Sequence, residues 1–496
     1  MRSVISALFI ISVTGVGLPD SAPAKPAAKV TEQPLGKLPE DVLGFKVSPD
    51  GRHLALVARK GEKVFIFVDG KAGPEYDNIA KGQPIFSRDG KHMAYTAREG
   101  KKWSVIVDGK KTGPECDGIL EGGPIFSPDG KRVAYATDKG EKWFVVVDGQ
   151  AGAKHDGIGP IIFSPDSKRV AYLAAKGDKR IIVVDGKDGP ALEKAAWLMF
   201  SPDSKRVAYA VQKGKKQSIA VNHKIGPEYD GVSGLVFSPD GKHVAHAAHK
   251  NNKGMLVVDG QAGREYDSLA EVALSFSPDG KRVAYGARTG KKWFVVVDGK
   301  DGPKYDGLAE ASPLFSPNGK KILYGVRKGK KWFVLVNGQA GPQCDGISSG
   351  SLSFSPDSKR IGYSALKGKK QFVVVDGKAG PEYDAISGGH PIFSHDGKHV
   401  AYAARKDGKW SVVLDGQAGP EYHAIAAGDP VFSPDGKHLA YAAMSGGKSF
   451  VVVNGRIGPE YDEVVRNTLI FNPAGVATYL AVRDGMLFRV TSTDKP

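Results

Sequence analysis

From residue 43 onward the chain repeats one pattern of apolar and polar positions. In its third copy a short apolar run, Gly123-Pro124-Ile125-Phe126, ends in the turn Ser127-Pro128-Asp129-Gly130. Arg132-Val133-Ala134-Tyr135-Ala136 follows, then the polar turn Lys139-Gly140-Glu141-Lys142. Trp143 to Val147 is a second β-branched and aromatic run, closed by Asp148-Gly149. Short runs of this composition bounded by turn residues predict strands, and Asp-Gly between two of them predicts a hairpin. A fourth strand is expected to start at G-P-E-Y-D, as in Gly226-Pro227-Glu228-Tyr229-Asp230, where proline and charge suit an exposed edge. The second and third runs are apolar almost throughout and do not alternate, so both of their faces must be covered. Sheets stacked face to face provide that cover. No helical period competes.

The turn serine, or its equivalent, recurs at Ser48, Ser87, Ser127, Ser164, Ser201, Ser238, Ser277, Ser316, Ser355, Ser394, Ser433 and Asn472. Four strands in a period of 37–40 residues is the signature of a propeller blade. The expected fold is therefore all-β, a β-propeller built from about twelve four-stranded blades.

F-S-P-D-G-K-R-V-A-Y followed by W-F-V-V-V-D-G resembles the WD40-like propeller repeat of the periplasmic TolB type, and the match runs over residues 43–490. The resemblance implies a propeller fold and an envelope compartment. It departs from the family at the N-terminus, where the α/β domain of TolB has no counterpart. The hydrolase domain that accompanies similar blades in prolyl-oligopeptidase-like enzymes has none either.

Propellers close with about 4 to 8 blades, so twelve repeats predict two six-bladed rings, residues 43–271 and 272–496, dividing near Glu271. One large ring, or a division into five and seven, is the alternative. Cys116 and Cys344 hold the same slot six repeats apart, which favours a duplicated six. The twelfth repeat ends at Val490 without a fourth strand. Residues 25–42 are then a linker or a ring-closing strand, with residues 29–38 placed to supply the missing edge.

Arg2, the apolar run Val4 to Leu18 and Ala22-Pro23-Ala24 read as an export signal over residues 1–24. That run is too short for a comfortable transmembrane span, so a periplasmic or secreted protein without a span after cleavage is expected.

Candidate chemistry is sparse. Two cysteines in 496 residues exclude a disulfide framework and a cysteine-based zinc site. Both replace a packed tyrosine and are expected to be buried free thiols. Gly346-Ile347-Ser348-Ser349-Gly350 satisfies G-x-S-x-G but lacks the strand-turn-helix context of a nucleophile elbow. His243, His246 and His249 alternate across a strand, which turns His246 away from the other two. The aspartate of S-P-D-G is a turn former. These features predict no catalytic, cofactor-binding or metal-binding residue and a non-enzymatic scaffold. A propeller-type lyase or hydrolase acting on acidic polysaccharide is the alternative.

Net charge is +16 and pI about 9.4, and the turns between second and third strands alone sum to +24. The richest stretch comprises Arg288, Lys291, Lys292, Arg327, Lys328, Lys330, Lys331, Lys367, Lys369 and Lys370, with Glu382 and Asp384 assigned to outer edge strands. Clustered like charge raises local potential, so these residues are the candidate anion- or partner-binding set. Expected partners are an envelope or extracellular protein, acidic polysaccharide or lipopolysaccharide. Nucleic acid is disfavoured because the turns lack interleaved aromatics.

Overall fold

The computed structural model describes residues 29–82, 84–310, 312–425 and 430–493. These residues form twelve antiparallel sheets and a single 3-10 turn, Ser387–Gly389. Each sheet is a four-stranded blade of a β-propeller repeat, with its strands mostly in chain order. In seven sheets the first strand is broken into two short pieces.

The fourth repeat shows why the sequence folds this way. Its strands are Gly157–Phe163, Val170–Lys176, Lys179–Val184 and Lys187–Asp188. Lys176 pairs with Lys179, which leaves Gly177-Asp178 as the two-residue turn at the tip. In the third repeat, Asp148 (φ 53°) and Gly149 (φ 82°) close the next hairpin, both in the left-handed region that this tight turn requires. Asp148 adds a side-chain lock, since its Oδ1 accepts the Val133 N–H at 3.0 Å. The next strand is therefore in register at once, with Val147 opposite Gln150. It begins before G-P-E-Y-D, not at it. The register shifts at the glycine that follows, whether proline comes next, as at Gly73-Pro74, or not, as at Gly152-Ala153 and Gly263-Arg264, and in other repeats regular pairing ends there.

Second and third strands are buried on both faces. Ala134, Tyr135 and Val146 expose almost nothing, and the small alanine lets the neighbouring sheet approach. Ala136 and Val145 of the third repeat pack with Ile158, Tyr172, Ile181 and Val183 of the fourth, and other consecutive sheets share cores in the same manner. This stacking accounts for the absence of alternation in the sequence.

The chain divides into two compact units. One is Ala80–Gln343, which carries the sheets of repeats two to eight; the other takes in the chain up to Ile79 and again from Cys344. Repeats six and seven, on either side of Glu271, lie in one unit and share a core in which Leu256, Tyr266, Tyr285 and Phe294 meet. In the other unit Lys29–Lys37 forms the fourth strand of the last sheet, running antiparallel to Met486–Thr493 from Lys29 opposite Thr493 to Lys37 opposite Met486. Leu35, Leu38 and Val42 continue this seam onto a core of Leu54, Phe65, Leu480 and Leu487. The proposed signal, residues 1–24, lies outside the described residues. Among the described residues no helix is long and apolar enough to cross a membrane.

Candidate functional site

The turns between second and third strands do not project as bare cations. In repeat after repeat, the last lysine of the turn meets the aspartate of G-P-E-Y-D. Lys216 reaches Asp230 at 2.6 Å and Lys253 reaches Asp267 at 2.6 Å. The second oxygen of each aspartate accepts a backbone N–H from the tip of the following sheet: Asn251 on Asp230 at 2.8 Å, Gly290 on Asp267 at 2.6 Å. One carboxylate thus ties two neighbouring tips together. Ion pair and hydrogen bond hold Asp230 and Asp267 below the usual carboxylate range, and Asp267 in turn raises Lys253. The aspartate belongs on this side because the connection from each fourth strand to the next sheet runs beneath the tips.

The predicted basic set separates into two kinds of residue. Lys292 is paired with Asp306, Lys367 with Glu382 at 2.8 Å and Lys370 with Asp384. Glu382 and Asp384 therefore act on the tip side and compensate part of the turn charge. Arg288 and Arg327 lie flat over Trp293 and Trp332, at 5.5 and 5.9 Å from the ring centroids. Arg327 also donates to the carbonyl oxygens of Gly329 and Asp306. Lys331 is exposed, as are Lys291, Lys328, Lys330 and Lys369, and these last four stand outside the lysine–aspartate ladder. Arg98 and Arg405 cover Trp103 and Trp410 similarly. The aromatics missing from the turns themselves stand one residue beyond, half-buried, with an arginine already on one face.

A second ladder runs along the opposite ends of these strands. In eight repeats the residue before the second strand is Arg or His and meets the turn aspartate sixteen positions on. Arg132 Nε donates to Asp148 Oδ2 at 2.8 Å, and His243 Nδ1 lies 2.6 Å from Asp259 Oδ2. Arginine reaches further, since Arg132 also donates to the Lys168 carbonyl at 2.7 Å and lies over Phe163 of the next sheet at 5.5 Å. His243 is thus a local brace. His246 is buried on the other face of its strand, and His249 is half-buried. Among the described residues no three His, Cys, Asp or Glu side chains are placed to hold a metal ion.

Cys116 and Cys344 are both buried and neither is in a disulfide, and burial raises the Cys116 thiol above its ordinary pKa. Gly346-Ile347 opens the first strand of the ninth sheet, paired with Leu366 and Ala365, and Ser348 donates its N–H to Ser364 O. No helix follows it.

Two features escaped the sequence reading. Trp197 is 48% exposed with φ 56°, a left-handed conformation rare for a bulky residue, at a bulge where the next repeat carries Gly234 (φ 63°). Glu463 is buried where other repeats carry Gly, Ala, Ser, Asn, Lys or, in the first repeat, the exposed Asp41, and burial lifts its carboxyl to about 7. Misfit to the repeat consensus is the signal for both.

No known protein family model matches the chain, and no curated protein matches it either. Solved structures similar in part include a eukaryotic initiation factor, 14% identical, covering 67% of this chain and 96% of that one with a TM-score of 0.36. Hydrazine synthase from Kuenenia stuttgartiensis is 17% identical and covers 60% of this chain and 96% of that one, TM-score 0.23. A β-propeller domain from Myceliophteria thermophila is 12% identical over 52% of this chain and 96% of that one, TM-score 0.23.

Proposed function

We propose that the protein is an exported, non-enzymatic propeller scaffold, similar to the TolB type, that binds an acidic protein or polysaccharide on the tip side of its sheets. The TolB likeness rests on the repeat motifs and export on residues 1–24. The binding reading rests on one observation: Lys291, Lys328 and Lys330 of repeats seven and eight are exposed and have no ion-pair partner among the described residues, beside a ladder in which Lys292 already holds Asp306. Fixed, adjacent carboxylates cannot swing out to neutralise them, so their field is left for a partner.

The test is retention on an immobilised polyanion such as heparin. The double reversal Lys328→Glu with Lys330→Glu removes as much positive charge as Lys131→Glu with Lys281→Glu, which lies in the turns at the opposite strand ends. The first pair should elute at clearly lower salt than the second. Equal elution would mean that total charge governs retention, and the tip-side reading fails.

A further inference from the structure

Ten of the twelve repeats carry a buried tyrosine in the middle of the second strand; the exceptions are Leu56 and His246. The tyrosine hydroxyl ends against the fourth strand of the preceding repeat. Tyr135 donates to Thr112 O at 2.9 Å, and the hydroxyls of Tyr402 and Tyr479 lie 3.6 Å from where a Cβ would stand on Gly380 and Gly458. These glycines are the first residues of G-P-E-Y. The corresponding glycine for the sixth repeat is Gly226.

His246 stands in the same aromatic stack, edge-on to Tyr229 at 6.0 Å, as Tyr402 is to Tyr383 at 6.1 Å. An imidazole is shorter than a phenol, and no His246 atom comes within 4 Å of the place where a Cβ would stand on Gly226. Instead, an open cavity of about 420 Å³ lies there, with Ile219, Val221, Ile225, Pro227 and Val244 as apolar walls and His246 in its lining. The His246 Nε2 is buried and has no hydrogen-bond partner. Of the other polar groups in the lining, Asp259 holds His243 and the Val244 N–H and Arg206 donates to Gly241 O, while Lys224 is exposed at the rim. At 49% exposure Ile225 is an apolar lip open to solvent.

We infer that this cavity is a binding site for a small phenol, whose ring lies between Ile225, Pro227 and Val244 and whose hydroxyl bonds to His246 Nε2. The chain itself supplies the argument for this class of ligand. Ten other repeats place a tyrosine in this slot, and in four of them its hydroxyl reaches the space against the equivalent glycine: Tyr135 at Gly113, Tyr172 at Gly152, Tyr402 at Gly380 and Tyr479 at Gly458. An imidazole that stays neutral accepts the hydroxyl proton through its free nitrogen, and burial keeps His246 neutral down to about pH 4.

Ligand-observed NMR titration of the full chain with 4-methylphenol tests this, with toluene as the ring lacking a hydroxyl. Saturable binding of 4-methylphenol is expected, with toluene at least about fivefold weaker, the share of one hydrogen bond. His246→Tyr, which restores the residue of the other repeats, should fold normally and abolish binding. Ile225→Asp changes only the exposed lip and should weaken binding without touching the core. Binding that survives both substitutions, toluene equal to 4-methylphenol, or no saturable binding would each overturn the proposal.

Discussion

Glu32 and Arg483, 451 residues apart in the chain, form a two-bond ion pair, with Arg483 Nη2 at 2.6 Å and Nη1 at 3.1 Å from the two carboxylate oxygens. Tyr461 adds its hydroxyl to Glu32 at 2.6 Å, and Arg483 lies over the Tyr461 and Phe488 rings. The clasp fixes the strand Lys29–Lys37 to the sheet it completes. Arg483 is the main cause holding the Glu32 carboxyl below its ordinary value.

Glu32→Gln keeps an acceptor for Tyr461 and for one Arg483 nitrogen but loses the second Arg483 bond and the charge, so a loss of about 1–3 kcal/mol is expected, discounted toward the lower end by partial exposure. Deleting residues 29–37 removes the whole edge strand and uncovers the apolar seam, and it should cost several times more. Thermal or urea unfolding of both variants measures the two losses. A deletion no worse than Glu32→Gln would mean the strand contributes little beyond its clasp.

Asp148 is expected to tolerate asparagine and not alanine. Asn222, Asn337 and Asn454 already occupy this turn position at φ near 50°, and Asn222 Oδ1 accepts the Val207 N–H at 2.9 Å. Asp148→Ala loses that acceptor and is strained at φ 53°, for about 1–3 kcal/mol together. Asp148→Asn should unfold within about 1 kcal/mol of the parent.

Two buried groups should give stability opposite slopes with pH. His246 has a folded pKa lowered to about 4, so protonation favours the unfolded chain. Its contribution is complete above about 6.5 and falls as pH drops from there toward 4, by about 3 kcal/mol in all. Glu463 is raised to about 7 from 4.5, so its burial weakens the fold as pH rises across that window, again by about 3 kcal/mol. The two windows overlap and offset one another in the parent, so His246→Tyr should unmask stability that falls as pH rises, and Glu463→Gln stability that rises with it. Urea midpoints at pH 4.5, 6 and 8 separate them.

Trp197→Gly should leave stability unchanged or raise it by about 1 kcal/mol, because the residue holds a conformation that glycine adopts freely. A clear loss of melting temperature would show that the exposed indole packs to some benefit.

The repeat and its four strands were legible because turn chemistry and apolar runs coincide twelve times over. So was the shared slot of His243 and Arg132, although not its reason, which is a turn aspartate sixteen residues away that either side chain reaches. The pairing of Lys370 with Asp384 was not legible. Counting charge by segment separates them, while the path of the chain beneath the tips brings them together. The start of the fourth strand was displaced for a similar cause: Asp-Gly turns back in two residues, so pairing resumes before the proline motif that marks it in the sequence. His246 was visible as an exception among tyrosines. The cavity beside it needed three dimensions, since its walls come from two repeats.

The strand Lys29–Lys37 gives the protein a clock. It is synthesised about 450 residues before its partner Met486–Thr493. At about 5–20 residues per second, the nine residues wait roughly 20–90 s with their backbone unpaired. Through that interval a nascent chain presents an open sheet edge, the kind of surface on which other chains can pair.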